Sequence, residues 1–179
     1  NKLVIPEWPT PRSYCLKNEE KGSLKGYLCD GHRSLKDVPE SLTDTFLTWE
    51  QLAVLMERNH LYQDWQDALQ AHDGVYAIRN VETGHLYVGT TYNRGNEART
   101  PTQGIWDRWR GYCRTQHNGN ALLKTHVEAR NGTHELRICL LEVWKKGMLD
   151  HSAATTREDL WKKKLGSRST SGRGGLNDN

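Results

Sequence analysis

The chain has 179 residues, enough for one well-buried domain with an extension or for two very small domains. Its hydrophobic fraction of 35%, with seven Trp and seven Tyr, is that of a globular chain and excludes an intrinsically disordered one. It has neither an apolar run long enough to span a membrane nor a signal-peptide pattern, so we expect a cytoplasmic protein with no membrane partner.

The net charge of +3 is unevenly distributed along the chain. Residues 1–72 carry 8 Lys/Arg against 11 Asp/Glu, whereas residues 73–179 carry 17 against 11, a net charge of +6. Such an excess is expected of a surface that contacts phosphates, although it also occurs in proteins that bind none. Because the sequence begins with Asn rather than Met, other domains of a longer chain are also potential partners.

The first 72 residues form an extension whose role is open: it packs on the following domain or contacts DNA. Several Pro and Gly residues predict irregular structure over the first forty residues, with a short strand near Leu24–Cys29. Thr48 and Gln51 form a capping-box pattern at the start of a helix that ends near Asn59, and Tyr62–Ala71 predicts a second helix. The pair is either a plain helical hairpin or a small helix-turn-helix that reads DNA.

The remainder, residues 73–179, predicts a domain with the element order β-β-α-α-β-α. The strands are a hairpin over Gly74–Arg79 and Leu86–Gly89 and a third strand near Leu136–Leu140. A polar loop over residues 93–103 separates the hairpin from three helices, predicted over Ile105–Cys113, Leu122–Val127 and Thr155–Leu165, the last stopped by Gly166. We therefore expect an α/β fold with a small three-stranded antiparallel sheet flanked by helices.

The cysteines give little functional information. Cys15, Cys29, Cys113 and Cys139 are widely spaced in a chain too long to need disulfides, so reduced thiols are expected. A zinc site formed by Cys15, Cys29 and His32 is a weaker alternative, since no fourth ligand is evident.

Several polar residues of the second region have the chemical types that metal-assisted phosphodiester hydrolysis requires. Two tyrosines lie in the hairpin, an arginine and a tyrosine on the next helix, and a glutamate on the last helix. A carboxylate can hold a divalent cation, a phenol can position or activate water, and a guanidinium can stabilise transition-state charge. These residues could converge at one end of the sheet.

The pattern of these residues resembles that of a known family. Gly74-Val75-Tyr76, followed after ten residues by Tyr87-Val88-Gly89, resembles the two halves of the motif that names the GIY-YIG nuclease superfamily. Three more blocks resemble family motifs, in the family's order: Gly104-Ile105-Trp106-Asp107-Arg108-Trp109 with Tyr112 one turn later, Arg157-Glu158-Asp159-Leu160-Trp161-Lys162, and Gly175-Leu176-Asn177. The resemblance runs from Gly74 to Asn177.

The resemblance implies a role for six residues. Tyr76 would be the general base or the water-positioning group, Tyr87 a second phenol, and Tyr112 a supporting or alternative proton acceptor. Arg108 would contact the scissile phosphate, Glu158 would be the protein ligand of Mg²⁺ or Mn²⁺, and Asn177 would be a supporting polar group. The resemblance also implies cleavage of double-stranded DNA to 5′-phosphate and 3′-hydroxyl ends. The 18 residues between Gly89 and Arg108 exceed the family's usual spacing and suggest a DNA-contacting loop.

Three features are most similar to the restriction-enzyme-like bacterial branch of the superfamily: the insertion before Gly104-Ile105-Trp106, the segment Gln116-His117-Asn118-Gly119-Asn120, and Leu165-Gly166-Ser167-Arg168. This similarity implies restriction or phage defence. Cutting both strands with one active site per chain usually calls for a homodimer or for sequential nicking. Candidate DNA-backbone contacts are Arg110, Arg114, His117, Lys162, Lys163 and Arg168. Alternatives are a repair, mobile-element or toxin nuclease of the same fold, and a DNA-binding module without catalysis.

Each candidate also has a purely structural interpretation. Tyr76 and Tyr87 would each suit a strand without any function. Glu158 completes the capping-box pattern Thr155-Thr156-Arg157-Glu158, in which its carboxylate would bond a backbone amide. Arg108 could be a solvated residue of an amphipathic helix.

Overall fold

The structure is a computed structural model that describes residues 35, 37–92, 104–169 and 174–178. The elements, in chain order, are β1 Phe46–Thr48, α1 Trp49–Glu57, α2 Gln63–Gln70, β2 His72–Asn80, β3 Leu86–Thr90, α3 Gly104–Thr115, α4 Ala121–Ala129, β4 Leu136–Lys145 and α5 His151–Leu165. The four strands form a central antiparallel sheet with the order β1-β4-β2-β3.

The α/β class and the element order from β2 onward are confirmed, but the prediction of three strands is wrong. The fourth strand is β1, which belongs to the N-terminal extension and pairs with β4 at the sheet edge, Leu47 lying opposite Ile138. A strand of three residues that leads directly into a helix is too short to show a period of two in the sequence. The extension therefore contributes backbone hydrogen bonds to the same sheet that carries the candidate site.

The predicted capping box at the start of α1 is confirmed. The Thr48 hydroxyl accepts from the Gln51 amide at 3.0 Å, and the Gln51 side chain accepts from the Thr48 amide at 2.8 Å. Helices α1 and α2, joined by a short 3₁₀ turn over Asn59–Leu61, both pack against α3. The two helices are thus placed on the domain through α3, and nothing in the structure tests whether they read DNA.

Helices cover both faces of the sheet. One face carries the larger core, where α1, α2, α3 and α4 bury their apolar sides against residues such as Ile78 and Ile138. The predicted apolar stripe of α3, which comprises Ile105, Trp106, Trp109 and Tyr112, is buried there. The other face carries a smaller core around Val75, Val88 and Ala154, which α5 covers. The architecture is thus helix, sheet, helix.

Helix α5 begins four residues before its predicted start. Asp150 is the N-cap, its carboxylate accepting from the Ala153 amide at 2.8 Å. The Thr155 and Thr156 hydroxyls bond carbonyls four residues back, as hydroxyls inside a helix do. The capping-box interpretation of Glu158 is therefore wrong, because this residue lies in the body of the helix. Gly166 ends the helix, as predicted, with φ of 66°.

The described residues contain no helix of the length and apolar character required to cross a membrane. Within the same residues, Cys113 and Cys139 are free thiols, as expected. The predicted strand near Leu24–Cys29, the zinc alternative at Cys15, Cys29 and His32, and the loop at residues 93–103 lie outside the described residues.

Candidate active site

Three buried tyrosines from three different elements meet at the centre of the candidate site. Tyr76 lies on β2, Tyr87 on β3 and Tyr112 on α3, and their exposed fractions are 0%, 7% and 1%. The ring centroids are 6.3 Å apart for Tyr76 and Tyr87, 5.8 Å for Tyr76 and Tyr112, and 6.2 Å for Tyr87 and Tyr112. Strand propensity alone does not account for a cluster that includes a helical residue.

Gly89 makes room for this cluster. It lies directly opposite Tyr76 in the antiparallel β2-β3 pair. A Cβ atom at position 89 would collide with the Tyr76 hydroxyl and with the end of its ring, and would crowd the Tyr87 ring. The glycine thus lets the Tyr76 phenol lie across β3. This steric requirement explains why glycine follows Tyr87-Val88 in the second half of the sequence motif.

Arg108 joins the tyrosines through its guanidinium. Its Nε donates to the Tyr76 Oη at 3.0 Å, and the same Oη lies 3.0 Å from the Tyr112 Oη. Helix α3 turns Arg108 and Tyr112, four residues apart, toward the same strand residue. The interpretation of Arg108 as a fully solvated side chain is therefore wrong, because it is half-buried and bonded to a buried phenol.

Two phenols of the cluster, those of Tyr87 and Tyr112, have raised pKa values. Burial is the main cause that raises the pKa of Tyr87 and of Tyr112 well above the ordinary value, so both stay protonated near neutral pH. The Tyr76 side chain is the main cause that raises the pKa of Arg108, which keeps the guanidinium charged. Negative charge that develops on the Tyr76 oxygen would therefore face a fixed cation and a neutral phenol.

Glu158 lies on α5, the helix that packs against β2 and β3. After burial and the Tyr76 charge, the Glu158 charge makes the smallest contribution that raises the pKa of Tyr87. One carboxylate oxygen, Oε1, lies 2.7 Å from the Nζ of Lys162, one turn later on the helix. The Glu158 side chain keeps 16% of its surface exposed, so a ligand can still reach the carboxylate.

Glu158 is a candidate ligand for a divalent cation. Among the described residues, no three His, Cys, Asp or Glu side chains are grouped to hold a metal ion. Mg²⁺ is commonly bound through one or two carboxylates together with water and substrate phosphates. The partly exposed carboxylate of Glu158 is compatible with that mode of binding.

Asn177 closes the site from the C-terminal segment, residues 174–178. Its buried side chain brackets the backbone of Val88, where Oδ1 accepts from the amide at 2.9 Å and Nδ2 donates to the carbonyl at 2.7 Å. Its own backbone bonds Ser167 and Ser169, which follow α5. Asn177 therefore ties the strand of Tyr87 to the end of the helix of Glu158, and it acts on the site through this backbone.

Asn177→Ala should lower the free energy of unfolding by about 2–4 kcal/mol, because it leaves the buried amide and carbonyl of Val88 unpaired. Urea titration followed by tryptophan fluorescence measures this change. Asp178→Ala, which alters the exposed neighbouring residue, is the matched control and should leave the urea midpoint unchanged. Equal midpoints for the two variants would contradict the tying role of Asn177.

The candidate DNA contacts occupy several different environments. Arg110, Arg114 and Lys163 are exposed, although Arg110 also pairs with Asp107 at 3.0 Å. Arg168 pairs with Asp159 at 3.1 Å, and the His117 ring accepts from the Gly119 amide at 3.1 Å within a turn. Lys162 is only 2% exposed, unlike its neighbours Lys163 and Lys164. It is therefore not a surface lysine.

The sequence did not indicate that the N-terminal extension reaches the site. The Trp49 ring, at the start of α1, contacts the Tyr112 ring edge to face, with centroids 6.5 Å apart. No local pattern links a capping-box helix to a residue on α3, since only the packing of α1 on α3 brings them together.

Comparisons of the chain with protein-family models, with curated proteins and with solved structures found no match.

Proposed function

We propose that this chain is a divalent-metal-dependent DNA endonuclease of the GIY-YIG type. The observation that carries the proposal is the contact of Arg108 Nε and Tyr112 Oη with one buried atom, Tyr76 Oη, each at 3.0 Å. A guanidinium beside a phenol that is itself paired with a second phenol is a costly arrangement for a purely structural core. It suits a reaction in which a phosphate and a water molecule meet at this oxygen.

In the proposed reaction, water attacks the phosphorus in line with the bond to the 3′ oxygen, and that bond breaks. Tyr76 holds the attacking water and, as phenolate, takes its proton. Arg108 binds the scissile phosphate and offsets the charge that builds on its oxygens. The leaving 3′ oxygen takes a proton from solvent water, and the products are a 5′-phosphate end and a 3′-hydroxyl end. Tyr112 supports Tyr76 through the bond between the two hydroxyls.

Glu158 is the residue proposed to hold Mg²⁺ or Mn²⁺. Such an ion, when bound, polarises the phosphoryl oxygen and offsets charge on the leaving oxygen. The carboxylate is suited to this role because it is partly exposed and lies on α5, the helix that packs against β2 and β3. Asn177 holds the backbone of β3 at Val88, and Gly89 makes room for the Tyr76 phenol.

The proposed substrate is double-stranded DNA. The net charge of +6 over residues 73–179, together with exposed Arg110, Arg114 and Lys163, favours contact with a phosphate backbone. The resemblance to the restriction-enzyme-like branch of the superfamily favours a role in restriction or phage defence. Because each chain carries one such site, cutting both strands requires a homodimer or two successive nicks.

The test is to incubate the full chain with supercoiled plasmid and phage DNA in Mg²⁺, in Mn²⁺ and in EDTA, and to sequence the ends produced. We expect nicked and linear DNA only in the metal samples, with 5′-phosphate ends that a ligase rejoins. Cleavage at one sequence supports restriction, whereas cleavage at branched junctions or at every position supports repair or toxin roles. Salt-dependent DNA binding without cleavage in either metal would contradict the proposal and favour a non-catalytic module.

A further inference from the structure

Lys162 is a buried cation placed directly against the proposed metal ligand. Its Nζ lies 2.7 Å from Glu158 Oε1 and 3.7 Å from Asp159 Oδ1. The side chain is 2% exposed, although Lys163 and Lys164, the next two residues, are exposed. The run of three lysines therefore contains one residue that the fold has turned inward.

Burying an ammonium group is unfavourable unless a carboxylate compensates it. Glu158 and Lys162 have the favourable helical order, with the acid four residues before the base. The pair is thus stable in the absence of any metal. The Lys162 ammonium is already bonded to the carboxylate to which a divalent ion would bind.

We propose that Lys162 is the resident counter-ion of Glu158 in the metal-free protein and lowers the affinity of the site for divalent ions. This inference rests on the proposed function, since it assigns Lys162 to the same metal site. A divalent ion at Glu158 is repelled by the ammonium and competes with it for the carboxylate. The ion is then held firmly only when a DNA phosphate adds its own oxygens, which couples metal binding to substrate binding. Lys162 is accordingly a positioning residue, and it acts through Glu158.

The test measures the affinity of the full chain for Mn²⁺ without DNA, by the paramagnetic resonance signal of free Mn²⁺. Lys162→Met keeps the length and the apolar contacts of the side chain but removes the charge, so the fold should be retained. We expect the Mn²⁺ affinity to rise by about tenfold or more, the scale of repulsion between charges a few ångströms apart. Lys163→Met is the matched control, because it removes the same charge from an exposed neighbour, and it should change the affinity less than twofold.

A double variant and a melting experiment separate this role from simple packing. Glu158→Gln combined with Lys162→Met should abolish the gain in Mn²⁺ affinity, because the gain requires the carboxylate. In EDTA, Lys162→Met should lower the melting temperature, and added Mn²⁺ should restore it by more than in the wild type. A packing role would lower the melting temperature without any gain in affinity.

The proposal is overturned if Lys162→Met does not raise the Mn²⁺ affinity, if Lys163→Met raises it equally, or if neither variant binds Mn²⁺ measurably. The first two outcomes leave the proposed function intact, because cleavage of plasmid DNA tests it separately, whereas absence of Mn²⁺ binding would count against both proposals. A gain in Mn²⁺ affinity in a chain that cleaves no DNA would support the pairing of Lys162 with Glu158 and contradict the nuclease role.

Discussion

Glu158→Gln should abolish cleavage of plasmid DNA in Mg²⁺, with a fall in rate of about a thousandfold or more, because it removes the charged ligand for the divalent ion. The amide keeps the size of the side chain and an acceptor for Lys162 Nζ, and Asp159 Oδ1 remains 3.7 Å from that nitrogen. The fold is therefore expected to persist with reduced stability, and the rate is measured well below the melting point of the variant. The measurement is the rate of supercoil loss under single-turnover conditions.

DNA binding provides the control for Glu158→Gln. Gel-shift affinity for plasmid-derived duplex, measured in Ca²⁺ or EDTA, should stay within a few-fold of the wild type, since the phosphate contacts come from other residues. Glu128→Gln on α4, which removes an exposed carboxylate paired with Lys124, should cleave at the wild-type rate. Full cleavage by Glu158→Gln would remove this residue from the mechanism.

Tyr76→Phe should lower the cleavage rate by about 10²- to 10⁴-fold, the range expected for loss of a general base. The change deletes one oxygen, the atom that Arg108 Nε and Tyr112 Oη both contact at 3.0 Å. It also leaves these two groups without a partner at that atom, which should cost about 1–3 kcal/mol of stability. The rate is measured in Mg²⁺ at a temperature well below the melting point of the variant.

Tyr62→Phe makes the same one-atom deletion outside the phenol cluster, in the N-terminal extension, and should retain the wild-type rate. If cooling alone restores the cleavage rate of Tyr76→Phe, the loss of rate is caused by reduced stability. This outcome would contradict a chemical role for Tyr76. A fall in the maximal rate at unchanged substrate affinity would support the chemical role.

Local patterns predicted much of the fold. The capping box at Thr48, the β2-β3 hairpin and the apolar stripe of α3 each depend on neighbours within a few residues, and the structure has all three. The start of α5 was misplaced because two competing caps, Asp150 and Thr155, lie five residues apart. Local sequence does not decide between them, whereas the tertiary packing of α5 includes the earlier turn through Ala154, which is fully buried.

The sequence by itself determined which residues are candidates and in what order they occur, because strand and helix periodicities and the spacing of the motifs are properties of the chain. It did not determine their contacts. Only the tertiary structure decided that Tyr76 and Arg108 share a hydrogen bond, that β1 completes a four-stranded sheet, and that Lys162, and not Lys163 or Lys164, is buried. The reason is physical: burial and pairing of charges depend on which elements pack together, and no local pattern in the chain encodes that packing.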